Sequence, residues 1–324
     1  SPYNLKLNNM QLNRLSRWSS YIFMVLVAAL LSCDQTSQDQ GTDLRFEISF
    51  PESLSAEPLT GRMFVCFGEN DERDPRLQVG RYGVQFVGVD FENLAPGETV
   101  VIDGSTIGYP VEWLKDVPAG KYYLQAVLNT YTEFNRSDGH TLWMHNDQWE
   151  GQNWRRSPGY FISEVIEMDI DPAKGGTIKI ELSEEIPPIE VPEDTKWVKR
   201  FKMKSDILSE FWGQDIFLGA TVLLPKGYDE NPDARYPTVY HHGHFSLRPP
   251  LGFREEQDNE MYQAWTSDNY PRFIAVTIQH PTPYFDDSYA VNSANNGPYG
   301  DAIHQELIPE LERRFRTIPE GYAR

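Results

Sequence analysis

Cysteine is scarce in this chain: Cys33 and Cys66 are the only two in 324 residues. Cys66 sits in the apolar stretch MFVCF, the setting of a small core residue. With Cys33 in the leader motif described below, no internal disulfide framework is left. Positive charge is short as well. The 29 Lys and Arg are outnumbered by 48 Asp and Glu, so the net charge is -19 and a nucleic-acid backbone is repelled. Nucleic acid is therefore excluded as a partner. No HExxH and no cysteine cluster occurs, so the familiar zinc patterns are missing and no metal or cofactor is expected. The longest apolar run, YIFMVLVAALL at residues 21–31, is uncharged but too short to span a bilayer comfortably.

What is present is the composition of a globular protein, 40% hydrophobic and 13% aromatic, in a chain long enough for two cores. At the start, Arg14 and Arg17 precede that uncharged run, as in an export signal. The run ends in Leu30-Leu31-Ser32-Cys33, which resembles a bacterial lipobox, where the cysteine is lipidated and becomes the mature N-terminus. The expectation is a lipoprotein signal peptide over 1–33 and a polar tether over 34–43. The protein would then be exported and held on the cell-envelope membrane by an N-terminal lipid anchor. An ordinary cleaved signal or a signal anchor is the plainer alternative, and export rests on this leader alone.

From Leu44 onward, short alternating segments begin. In LRFEISF, Leu44, Phe46, Ile48 and Phe50 share one face. MFVCF, VQFVGV, ETVVI, KYYLQAVL and TIKIEL follow, separated by turns rich in Pro, Gly and Asp. Several short strands with such punctuation predict an all-β sandwich over 44–185. The piece DVPAGKYYLQAVLN resembles the turn-and-strand unit of immunoglobulin-like or transthyretin-like accessory domains. A Trp-rich segment at 131–161 reads either as a long loop pinned to the sandwich or as a sugar-stacking or site-covering loop.

IPPIEVPEDT, residues 186–195, is a stiff, proline-rich linker. Beyond it the pattern changes. WVKRFKMKS and IFLGATVLLP alternate, and KGYDENPDARYP reads as a turn joining antiparallel strands. TVY and FIAVTI read as buried strands, with helix-like REEQDNEMYQAW between them. DAIHQELIPELERRFR carries an apolar stripe of Ile303, Leu307, Ile308, Leu311 and Phe315, with Glu306 among the residues on its polar side and Pro309 expected to kink it. Strands alternating with helices imply a parallel α/β sheet over 196–324.

The stretch PTVYHHGHFS poses the functional question. His242 and His244, two apart, could share a strand face and chelate a metal, but a third ligand is wanting. The other reading is a turn whose backbone N–H groups hold an oxyanion. LGATVLLPKGYDENPDARYPTVYHHGHF and GDAIHQELIPELERRFRT together resemble an esterase family of the α/β-hydrolase superfamily, the one holding feruloyl-esterase-like and enterochelin-esterase-like enzymes. The resemblance covers about two-fifths of the chain. It implies the first part of an α/β-hydrolase fold and cleavage of a small-molecule or polysaccharide-linked ester by a Ser-His-Asp/Glu triad without a cofactor. Gly243 and His244 would then supply oxyanion-hole backbone, His242 would hold the turn, and Phe245, Tyr284 and Tyr289 would border the substrate.

One part of the family pattern is missing. The nucleophile elbow G-x-S-x-G occurs nowhere in the 324 residues, and His304 lies on the helix before the place where it belongs. The expectation is therefore an N-terminal fragment of a serine esterase, inactive by itself. A non-catalytic, glycan-binding surface lipoprotein is the alternative, and a peptidase of the same superfamily is a third option.

Overall fold

The computed structural model describes residues 43–324. The leader, Cys33 and the tether up to residue 42 lie outside the described residues. Alternation becomes strand wherever one face finds a core. In the strand Leu44–Ser49, Leu44, Phe46 and Ile48 are buried while Arg45 is exposed. This strand is the centre of a three-stranded sheet, antiparallel to Val100–Ile102 and parallel to Gly176–Glu181. A larger sheet of seven strands is built around Leu59–Gly68, which pairs antiparallel with Gln85–Leu94 and with Gly120–Thr130. The two sheets share one core, where Phe46, Ile48 and Ile102 meet Met63, Val65, Phe67 and Leu124. Burying each such side chain contributes about 1.5–3 kcal/mol.

MFVCF reads as a continuous apolar run because its strand is covered on both faces. Phe64 and Cys66 point away from the shared core into a second cluster with Val79, Val84 and Tyr160. Trp154 closes this cluster by stacking on Phe64, with ring centroids 4.2 Å apart and planes at 17°.

The second module holds a four-stranded sheet. Its strands are Val198–Ser205, Ile216–Leu223, Thr238–His241 and Ile274–Gln279, and their spatial order is first, second, fourth, third. The second strand runs antiparallel to both neighbours, and the third and fourth are parallel. Residues 226–237 do join two strands that run in opposite directions, as expected, but those strands are not paired with each other, because the fourth strand lies between them. A parallel pair needs a crossover, and the helix Glu260–Thr266 lies in it. That helix is shorter than its sequence pattern suggested. The Asn259 side chain accepts from Tyr262 N–H at 2.9 Å and caps it, so residues 254–259 stay outside.

Helix Glu260–Thr266 covers one face of the sheet, with Trp265 packed beside Leu223, Phe253 and Ala275. The helix Asp206–Trp212 and a longer helix at residues 299–314 contribute to the core on the other face, where Trp212, Leu307 and Leu311 meet Leu218, Ala220 and Val276. Pro309 does not break the long helix. A π turn at Ile303–Leu307 precedes it, with Ile308 N–H donating to Ile303 O, and this relieves the clash between the proline ring and the carbonyl four residues back. Glu306 does not simply cover a solvated face. Its carboxylate accepts from Ser205 Oγ and from Ile207 N–H, the latter at 3.0 Å, and so caps the start of helix Asp206–Trp212.

The segment 131–161 is not one loop. It opens with a hairpin, Thr132–Asn135 paired to Thr141–Met144, which joins the second core. Phe134 is fully buried there, edge-on to Trp212 at 5.6 Å. Residues Leu44–Arg324 accordingly form a single compact unit, rich in β-strand and sparse in helix. No helix among the described residues is long and apolar enough to cross a membrane.

Candidate functional site

Because Thr238–His241 and Ile274–Gln279 are parallel, the segments that leave their carboxyl ends emerge side by side. The strand stops at His241, so His242 and His244 do not share a strand face as the sequence pattern suggested. His242 stacks on His280, with ring centroids 5.0 Å apart. His244 Nδ1 lies 3.1 Å from Asp286 Oδ1 and 2.9 Å from Asp287 Oδ2. The two loops are thus clasped by one imidazole between two carboxylates. Hydrogen bonding to Asp286, with the charges of both aspartates, holds the His244 pKa above its ordinary value.

His280 is fully buried and was not singled out from sequence. The backbone N–H of Ser288 donates to its Nδ1 at 2.9 Å. Nδ1 is therefore an acceptor, and the neutral ring carries its proton on Nε2. Burial, helped by the neighbouring His242, pulls the His280 pKa down to about 4.

This arrangement bears on the metal question. Two trios bring potential ligand atoms within 4.8 Å of one another: His242, His280 and Asp287, and His244, Asp286 and Asp287. The third ligand that the sequence seemed to lack is thus present nearby. A transition metal nevertheless needs a free lone pair on each histidine. On His280 one nitrogen is occupied by the Ser288 N–H and the other bears the proton. In the second trio, His244 Nδ1 already lies between the two carboxylates, so its protonated ring would itself supply the cation there. The geometry fits an imidazolium clasp better than a metal centre.

The turn itself is open. An ideal Cβ on Gly243 would meet nothing within 4 Å, and its φ is not in the left-handed region, so neither crowding nor backbone conformation within the described chain demands glycine. Among the described residues, the backbone N–H groups of Gly243, His244 and Phe245 enter no backbone hydrogen bond. Phe245 packs edge-on to Trp149 at 5.3 Å and against Gly151, whose φ is +73°. Tyr284 lies against Trp212 at 5.7 Å, while Tyr289 is 71% exposed, with its ring 6.1 Å from that of His242.

The Trp-rich segment therefore divides its anchors. Trp154 is fixed on the larger sandwich sheet, whereas Trp149 sits under Lys202 on the second sheet and against Phe245 of the turn. Gln152 Nε2 donates to Thr282 O at 2.7 Å, tying the segment to the 280–290 loop as well. Underneath lies a buried acid network. Asp147 Oδ1 accepts N–H groups from Glu150, Gly151 and Gln152 at 3.0–3.3 Å, and Glu150 pairs with His145 Nε2 at 2.6 Å. The segment borders two clefts, of about 610 and 620 Å³, which meet at Gly151, Asn153 and Asp286 beside the turn.

Comparison with protein-family models and with curated proteins gives no match for this chain.

Proposed function

We propose that the protein is an exported, lipid-anchored serine hydrolase acting on carboxylic esters, and that these residues form the oxyanion side of its site. The observation that supports this most is the His242–Phe245 turn. It holds backbone N–H groups without backbone partners, beside an open Gly243, at the carboxyl end of a parallel strand. In acyl transfer the carbonyl oxygen becomes negative, and each donor already aimed at it lowers the barrier by about 3 kcal/mol. His244 and Phe245 N–H would be those donors. The His244 clasp would fix their direction, since its ring is tied to Asp286 and Asp287.

The strand order supports an α/β-hydrolase fold for residues 196–324. The crossover from the third strand leads to the fourth on one side, while Thr317 pairs in parallel with Tyr236 at the third strand's other edge. Connections that leave two neighbouring parallel strands in opposite directions create the crevice in which open α/β sheets bind ligands. A serine hydrolase also requires an elbow serine, an acid and a histidine base. The 324 residues contain no G-x-S-x-G, so on this proposal the triad is carried by further sequence and this chain alone is inactive.

The test compares the full-length gene product with the 324-residue chain. Chromogenic acetyl and feruloyl esters and a fluorophosphonate label are the probes. Hydrolysis and labelling by the longer protein only, abolished by replacing the labelled serine, is the expected result. A full-length product that neither labels nor hydrolyses any ester leaves the second reading, a glycan-binding surface lipoprotein. That reading is favoured by the aromatic cleft at the Trp-rich segment.

A further inference from the structure

The cleft of about 610 Å³ has a chemistry opposite to that of the chain as a whole. Its lining includes Arg81 and Arg155, and its one carboxylate, Asp286, is already engaged by His244. Arg155 is anchored by donating from Nε to Asn153 Oδ1 at 2.9 Å and from a terminal nitrogen to Val79 O, both neutral acceptors. The Arg81 guanidinium lies over the Tyr82 ring at 5.5 Å. Among the described residues neither arginine forms an ion pair, in a chain with net charge -19. Burial and the neighbouring Arg73 and Arg156 lower the Arg155 pKa, as for a cation with no anion beside it.

The walls are aromatic. Tyr109 and Phe285 are 45% and 56% exposed, and Trp154 also lines the cleft. We propose that this cleft binds a carboxylate-bearing sugar ring, a uronate unit of an acidic glycan, with Arg81 and Arg155 on the carboxylate and Tyr109 and Phe285 on the ring. A planar guanidinium suits a carboxylate, and exposed aromatic rings suit the apolar face of a sugar. The cleft is open to solvent, which admits a ring within a polymer. Binding here goes beyond the esterase proposal and does not need the nucleophile.

Calorimetric titration of the chain compares a short oligogalacturonate with a neutral cello-oligosaccharide of equal length and with citrate. Saturable binding of the oligogalacturonate alone, weakening as salt is raised, is the expected result. Arg81→Gln and Phe285→Ala should each weaken it by about tenfold, because a charge-assisted hydrogen bond or an aromatic platform is lost. Both residues are exposed, so unchanged far-ultraviolet circular dichroism would verify folding. Equal binding of the neutral glycan or of citrate overturns the proposal. So does the absence of binding, or an oligogalacturonate affinity that both variants leave intact. None of these outcomes depends on ester hydrolysis, so the two proposals fail separately.

Discussion

The Trp149 ring occupies the space that a side chain on Gly219 would need. An ideal Cβ there would lie 2.6 Å from Trp149 Cζ2 and 2.6 Å from Phe201 O. Glycine in the second strand is thus what lets the Trp-rich segment dock on the sheet. Gly219→Ala should destabilise the protein by about 1–3 kcal/mol through overpacking and shift Trp149 emission to longer wavelength. Denaturant unfolding and fluorescence check this, with Trp149→Phe as the background that identifies the signal. Unchanged stability and emission would mean that Trp149 is not seated there.

The His244 clasp gives a pH dependence with a definite sign. Its folded pKa is raised above the ordinary 6.5 by Asp286 and Asp287. The clasp's stabilisation is therefore fully present below the unfolded value and is lost as pH rises through the raised folded value. Limited proteolysis of residues 242–249, relative to an unrelated loop, should accelerate as pH rises above the ordinary histidine value of 6.5 and through the raised folded value. His244→Gln should be cut quickly at every pH. A flat profile in the parent protein would remove the clasp.

Strand existence was legible in the sequence where one face of a strand is buried, as in Leu44, Phe46 and Ile48. Neighbour relations were not. Nothing local tells that Ile274–Gln279 inserts between two earlier strands, because that follows from a crossover and from pairing across some fifty residues. The same limit hid the site partners. His242 and His244 drew attention by their spacing, but His280, Asp286 and Asp287 meet them only through parallel pairing. Glu306 looked like a solvated acid because its role, capping another helix, lies about a hundred residues away in sequence. A usable signal for the loop did exist in the run Asp286-Asp287-Ser288, in the polar loop that follows a buried strand.

Cys66 should be chemically silent. It is fully buried, and burial pushes its thiol pKa up to about 12, so almost no thiolate is present near neutrality. In a Cys33→Ser background a disulfide reagent should leave the native protein unmodified and react with one thiol after denaturation. Rapid reaction of the native protein would mean that the Phe64–Cys66 face of the larger sheet opens far more readily than its packing implies.

Asp147 should carry a proton in the folded protein. Burial first, and then the charge of Glu150, raise its pKa, while its Oδ2 is buried without a partner. For Glu150 burial works in the same direction, but hydrogen bonds from His145 and Asp147 outweigh it and hold that carboxyl low. A proton on Asp147 Oδ2 shared with Glu150 satisfies both groups, leaving Oδ1 to accept its three backbone N–H groups. The folded state then binds more protons at Asp147 than the unfolded state does, from 3.8 up to the raised value. Its contribution to stability must fall as pH rises through that window. Asp147→Asn keeps the acceptor and puts a permanent donor toward Glu150. It should raise stability at about pH 8 by about 1 kcal/mol and flatten that part of the pH slope. Urea unfolding at several pH values measures both. If Asp147→Asn instead weakens the fold strongly at every pH, the carboxyl is ionised and the three N–H groups have prevailed over burial.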